Sequence, residues 1–180
     1  MRGLQDKTVI VTGGGGGIGG ATCRRFGEAG ARVAVFDINA ESAAQTAVDI
    51  TTAGGVAQAF RCDITDYAEV QSAVGAAAAA LGPIDILINN AGWDVFRLFK
   101  DTTPDQWQKL IAINLVGAFN MHHVVLPGML ERRRGRIVNI ASDAARVGSS
   151  GEAVYAACKS GLVGFSKTIA REHARHGINV

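Results

Sequence analysis

The sequence carries almost no charge imbalance: 18 Lys and Arg stand against 16 Asp and Glu, a net +2 over 180 residues. Proteins that hold nucleic acid or an anionic membrane surface need a stronger bias, so neither partner is expected. The chain also lacks an unbroken run of about 18 apolar residues, the length that crosses a bilayer. Its opening, Met1-Arg-Gly-Leu-Gln-Asp-Lys7, has no apolar signal core, and a cytoplasmic protein is expected. Cysteine is scarce: Cys23, Cys62 and Cys158 are odd in number and widely spaced. That speaks against a disulfide framework and a cysteine zinc site, and leaves three reduced, mostly buried thiols. No metal is expected from the histidines. His122 and His123 are adjacent on a predicted helix and point to different sides, and His173 with His176 has no carboxylate or cysteine arrangement to close a site.

What is present is alternation. Short β-branched runs recur at Thr8–Thr12, Arg32–Phe36, Val56–Phe60, Ile84–Ile88 and Arg136–Ile140, with Ala-rich stretches of helical spacing at 17–29, 41–53 and 66–81 between them. Longer helices are predicted over 104–130 and 152–176. The strands are nearly continuous apolar runs, as they must be when helices cover both faces of a sheet. The fold class read from this pattern is α/β, a Rossmann-like doubly wound parallel sheet forming one domain over 1–180. Gly177 reads as a C-cap, and the apolar residues after it read as the opening of a sixth strand, so the chain is expected to be cut short at its C-terminus. The basic run Glu131-Arg-Arg-Arg-Gly-Arg136 falls at a predicted helix end, where cations complement the helix dipole, and is read as a solvated cap.

The segment Thr12-Gly-Gly-Gly-Gly-Gly-Ile-Gly19 follows the first strand and opens a helix. Glycine there lets backbone approach a pyrophosphate, and the helix start supplies free N–H groups and a positive dipole end. Thr12, Gly13, Gly15, Gly16, Gly17, Ile18 and Gly19 are therefore candidate cofactor-binding residues. No Lys-Ser/Thr pair follows the glycines, which disfavours a nucleoside triphosphatase. Asp37 ends the second strand, where a carboxylate accepts hydrogen bonds from ribose hydroxyls. A 2′-phosphate about 4 Å from it would meet a repulsion of roughly 1–4 kcal/mol. The expected cofactor is NAD rather than NADP.

With Asp63 after the third strand, Asn89-Asn-Ala-Gly92 after the fourth, Asn114 inside a helix, Ser142 after the fifth and Tyr155-Ala-Ala-Cys-Lys159, the sequence resembles the short-chain dehydrogenase/reductase family over its whole length. The resemblance implies an NAD-dependent alcohol dehydrogenase or ketoreductase. It implies that Asp63 and Ile64 border the adenine and that Asn90, Ala91 and Gly92 lie along the cofactor. It also implies homo-oligomers, tetramers in full-length form, and a substrate loop beyond a sixth strand that this chain would lack.

Catalysis is expected from Asn114, Ser142, Tyr155 and Lys159. At i, i+4 in a helix, Tyr155 and Lys159 share one face, which brings the ammonium near the phenol. Making a free phenol, which loses its proton near pH 10, into a base near neutrality needs about 4 kcal/mol of phenolate stabilisation. An ammonium and an oxidised nicotinamide, both cationic, can each supply on the order of 1–4 kcal/mol. Tyr155 is thus the expected general acid/base, with Tyr155 and Lys159 also holding the cofactor. Ser142 would hydrogen-bond the substrate oxygen, and the resemblance implies that Asn114 anchors a water-linked proton path from Lys159.

Three unusual segments, Gly13 to Phe26, Asn89 to Asp94 and Ser142 to Tyr155, resemble family members acting on β-hydroxyacyl-CoA thioesters. Trp93, Asp94, Ser142, Asp143 and Arg146 are then candidate acyl-pocket residues. A 3-oxoacyl reductase working on acyl-carrier protein and a catalytically silent NAD-binding fragment are the alternatives.

Overall fold

Apolar runs too short for helices and hydrophobic on both faces pair into a sheet. In the computed structural model, which describes residues 3–180, six parallel strands form: β1 (Thr8–Thr12), β2 (Arg32–Asp37), β3 (Val56–Arg61), β4 (Ile84–Asn89), β5 (Gly135–Asn139) and β6 (Ile178–Asn179). Their order is β3-β2-β1-β4-β5-β6. β1 is buried at all five positions. It runs between β2 and β4, the point where strand order reverses and where such sheets open a crevice beyond the strand ends. Where the β1–β4 register slips, the Asp85 carboxylate accepts the Thr8 N–H at 3.2 Å.

Helices α1 (Gly17–Glu28), α2 (Ala40–Thr52) and α3 (Tyr67–Leu81) connect the first four strands. Asn39 and Asp66 cap α2 and α3 by accepting N–H groups of the first turn. One apolar cluster, containing Val9, Val33, Val35, Ala43, Ile50 and Ile86, fills one side of the sheet. A larger one, containing Ile10, Phe36, Val70, Leu87, Met121 and Met129, fills the other. The expected five strands and their order of appearance hold, with ends moved by at most one residue, and the sixth strand opens at Ile178.

The helix predicted over 104–130 is interrupted. α4 (Pro104–Ile111) passes through a π-helical turn at Ala112–Val116 into α5 (Gly117–Glu131). An 18-residue window of this stretch has mean hydropathy 1.4, so it is long and apolar enough to span a bilayer. Here 44% of that window is buried inside the fold. A four-residue helix, α6 (Ala144–Val147), follows β5, and α7 (Ala153–His173) ends in a 3₁₀ turn at Ala174–His176 before Gly177, whose φ of 74° closes the helix.

The basic run does more than cap α5. Arg132 donates to the Ile84 carbonyl at 2.7 Å, Arg133 to that of Arg175 at 2.9 Å, and Arg136 to the Asn179 side chain at 2.9 Å, so the run laces β4, β6 and the end of α7 together. All three cysteines are buried, and burial first of all pushes the thiols of Cys23 and Cys62 up to about 12. His122 and His123 do face different ways: His122 meets the Ala118 carbonyl at 2.8 Å in the interior, and His123 the Tyr67 hydroxyl at 2.7 Å outside.

Candidate active site

The strand ends at the reversal point frame a cavity of about 550 Å³, lined among others by Gly13, Gly16, Asp37, Asp63, Ile64, Asn90, Ala91, Gly92 and Trp93. Gly13 has φ 64°, a left-handed conformation open to glycine, and a Cβ there would stand 3.0 Å from the Ala91 Cα. Gly19 lies behind the cavity: a Cβ on it would overlap the Gly13 carbonyl, so its absence lets α1 close on the loop. Ile18, 69% exposed, borders a neighbouring apolar hollow with Phe26 instead. Gly15 and Gly17 are also outside the lining, Gly17 with φ 53°. Gly15 donates its N–H to Asp37 at 2.9 Å.

Four expected cofactor residues, Thr12, Asn90, Asp37 and Asp63, have work inside the fold. The buried Thr12 hydroxyl accepts the N–H groups of Asn90 and Ala91, both at 3.1 Å, and the Asn90 amide donates to the Thr12 carbonyl at 3.0 Å. These contacts fasten β1 to the turn after β4 and fix the cavity floor. The second carboxylate oxygen of Asp37 accepts the Asn39 N–H at 2.9 Å, and Asp63 accepts the Thr65 hydroxyl at 2.7 Å.

Beside Gly92, Asn114 and Lys159 converge. A Cβ built on Gly92 would lie 3.0 Å from Asn114 Oδ1 and 3.7 Å from Lys159 Nζ. Asn114 is 2% exposed and sits in the π turn. Its Nδ2 donates to the carbonyls of Trp93 at 2.7 Å and Leu110 at 3.0 Å, and its Oδ1 accepts the Trp93 N–H at 3.2 Å. An inserted residue of this kind is the usual form of a π turn, and such turns concentrate at functional sites. Lys159 Nζ donates to the Ile140 carbonyl at 2.8 Å and stands 5.5 Å from the centroid of the Tyr155 ring. Burial lowers its proton affinity below that of an ordinary lysine. Ser142 lies half-buried between β5 and α6, its oxygen accepting the Ala144 N–H at 3.2 Å. A phenol beside a buried ammonium, with that ammonium close to Gly92 of the cavity lining, can move a proton to or from an oxygen held beside it.

The expected acyl-pocket set divides. Trp93 lines the same cavity as the glycine loop, because Asn114 holds its backbone from both sides. Asp143 and Arg146 face solvent and pair with each other at 3.3 Å, with side chains 73% and 79% exposed. Asp94 stays near Tyr155: Asp94, Glu152 and Tyr155 line one small hollow. Burial first and then Glu152 raise the Asp94 carboxyl, whereas Ser149 and Asp94 lower that of Glu152. Glu152 has no motif spacing and could be found only from the fold.

The short chain dehydrogenase family profile matches residues 7–180. The chain is 41% identical over 177 residues to D-threitol dehydrogenase of Mycolicibacterium smegmatis, covering 98% of this chain and 68% of that protein. It is 41% identical over 176 residues to acetoacetyl-CoA reductase of Shinella zoogloeoides, covering 98% and 71%. It is 36% identical over 177 residues to the 3-oxoacyl-[acyl-carrier-protein] reductase FabG of Escherichia coli, covering 98% and 71%. Its fold superposes on a crystal structure of NAD+-bound xylitol dehydrogenase with a TM-score of 0.96 and 33% identity, over 99% of this chain and 69% of that one. A glycine loop at the reversal of a 3-2-1-4-5-6 sheet, a tyrosine and lysine one turn apart, and these matches agree: the chain belongs to the short-chain dehydrogenase family.

Proposed function

We propose that the chain carries the machinery of an NAD-dependent oxidoreductase interconverting a secondary alcohol and a ketone, in a single dinucleotide-binding domain. The observation that carries this is the buried Lys159, held by the Ile140 carbonyl beside Tyr155 and next to Gly92 and Asn114. A bound nicotinamide would supply or accept the hydride. The glycine loop, Asp37, Asp63 and the Asn90 to Gly92 turn would hold that cofactor, and the cavity they line suits an extended ligand. Tyr155 would hold or release the proton at the substrate oxygen. Lys159 would favour the ionised phenol, Ser142 would donate to the same oxygen, and Asn114 would keep Trp93 and Gly92 in place. On this reading Asp37 favours NAD, since its carboxylate would face the place where NADP carries an extra phosphate.

For the substrate, the segments at Gly13 to Phe26, Asn89 to Asp94 and Ser142 to Tyr155 resemble 2-hydroxycyclohexanecarboxyl-CoA dehydrogenase, and we propose a β-hydroxyacyl-CoA of that kind. A second reading, a polyol, is favoured by the Asp94 and Glu152 carboxyl pair beside Tyr155, which can accept hydroxyl hydrogen bonds and would repel an anionic substrate group. We further propose assembly into homo-oligomers in the cytoplasm through α5 and α7, where Tyr67, Phe119, His123 and Phe165 line an open apolar hollow. The test is NADH formation from NAD with 2-hydroxycyclohexanecarboxyl-CoA against threitol and xylitol. Turnover of the thioester alone supports the first substrate, turnover of the polyols the second, and NADH binding without turnover of any substrate leaves a silent dinucleotide-binding protein.

A further inference from the structure

Among the described residues lining the 550 Å³ cavity there is one cation, Lys109. It lies on α4 four positions before Ile113, one helical turn away, and Ile113 lines the same cavity, so this face of the helix forms a wall of the groove. The Lys109 ammonium stands 4.3 Å from the centroid of the Trp93 ring. Among the described residues it makes no ion pair and no side-chain hydrogen bond, unlike the cavity's two acids. Asp37 is occupied by the N–H groups of Gly15 and Asn39, and Asp63 by Thr65. Gly15 thereby spends on a carboxylate an N–H that the loop would otherwise offer to a phosphate. A dinucleotide brings two phosphate charges into a groove with two acids, and the loop alone has no formal positive charge to meet them.

We propose that Lys109 is a phosphate-binding residue for the dinucleotide, resting on Trp93 and reaching from α4 to the cofactor's pyrophosphate when it binds. A cation held only by a ring face is weakly held, whereas an ammonium on a phosphate oxygen makes a charge-assisted hydrogen bond. This inference rests on the reading that the groove takes a nicotinamide dinucleotide. It adds a specific contact from outside the glycine loop, and it gives the neighbouring tryptophan a purpose, to keep a flexible side chain aimed at the ligand before the ligand arrives.

The test compares the protein with Lys109→Met and Lys109→Arg by fluorescence titration with NADH and by displacement of NADH with ADP or adenosine. Lys109 is exposed, so neither substitution disturbs the core. The expected result is that Lys109→Met weakens NADH and ADP by about tenfold and leaves adenosine unchanged, while Lys109→Arg keeps most of the affinity. The salt dependence of NADH binding should flatten in Lys109→Met alone. Unchanged NADH affinity in Lys109→Met, an equal loss for adenosine, or a loss confined to NADPH would overturn the assignment. Failure of the unsubstituted protein to bind NADH and ADP at all would instead overturn the dinucleotide reading on which it stands.

Discussion

Lys159 donates to the backbone carbonyl of Ile140 at 2.8 Å while its ammonium stands 5.5 Å from the centre of the Tyr155 ring. The lysine is therefore positioned by the end of the β5 segment, independently of the phenol. Removing the phenolic oxygen leaves that hydrogen bond and the cavity intact. Tyr155→Phe should lower turnover by at least about 10²-fold, the ordinary worth of a positioned acid/base. NADH affinity should change little. Substantial remaining activity in a steady-state assay would remove Tyr155 from the chemistry.

On the proposed reading Asp37 would set the choice between the two nicotinamide cofactors. Asp37→Asn keeps one oxygen to accept either the Gly15 or the Asn39 N–H, and it deletes the charge that a 2′-phosphate would meet. The ratio of NADPH to NADH affinity should rise by roughly tenfold or more, on the scale of a 1–4 kcal/mol repulsion. A ratio that does not move in parallel titrations would mean that the carboxylate does not face the ribose.

The glycines of the loop are not equivalent, and two alanine substitutions separate them. A Cβ on Gly19 runs into the Gly13 carbonyl and comes within 2.6 Å of the Asn90 amide, whereas one on Gly16 meets nothing within 4 Å. Gly19→Ala should cost stability on the order of the 1–3 kcal/mol typical of overpacking, read as a lower melting temperature. Gly16→Ala should melt like the parent yet bind NADH more weakly, because Gly16 lines the cavity. Equal melting temperatures for the two variants would contradict this division.

His122 makes stability depend on acid. It is 1% exposed, within reach of Ala118, Asn89 and Asn139, and burial lowers its proton affinity below the usual 6.5. Just below pH 6.5, and down to the lowered value, the unfolded chain takes up a proton that the folded one refuses, so stability falls as pH falls through that window. Urea midpoints at pH 7.5 and pH 5.5 should differ more for the parent than for His122→Gln. Identical differences would assign the acid sensitivity to other groups.

Much of this architecture is legible in the sequence because its signals are local. β1 is found at its true limits since Thr8–Thr12 is buried on both faces and stops at glycine. The Tyr155 and Lys159 relation follows from helix geometry. The π turn at Ala112–Val116 leaves no comparable mark: one inserted residue changes no apolar pattern, and the polar Asn114 that fills it looks like any helical asparagine. Lys109 reads as a solvent-facing lysine on an amphipathic helix, and only the packing of α4 over the crevice turns it toward Trp93. Asp143 and Arg146 follow a catalytic-looking serine in sequence, but the short α6 sets them three residues apart on its outer side, where they satisfy each other.

The placing of β1 also governs when the site comes into being. This strand is made first and pairs with β2 soon after, but its other neighbour is β4, and the Thr12 hydroxyl waits for the N–H groups of Asn90 and Ala91. During synthesis the floor of the groove cannot form until that turn has emerged, and Lys159 follows later still. Long-range pairing of this kind slows folding and leaves apolar strand edges exposed in the interim. The arrangement that brings the glycine loop, the Tyr155 and Lys159 pair and the buried asparagine to one point therefore leaves one edge of β1 open until β4 has been made.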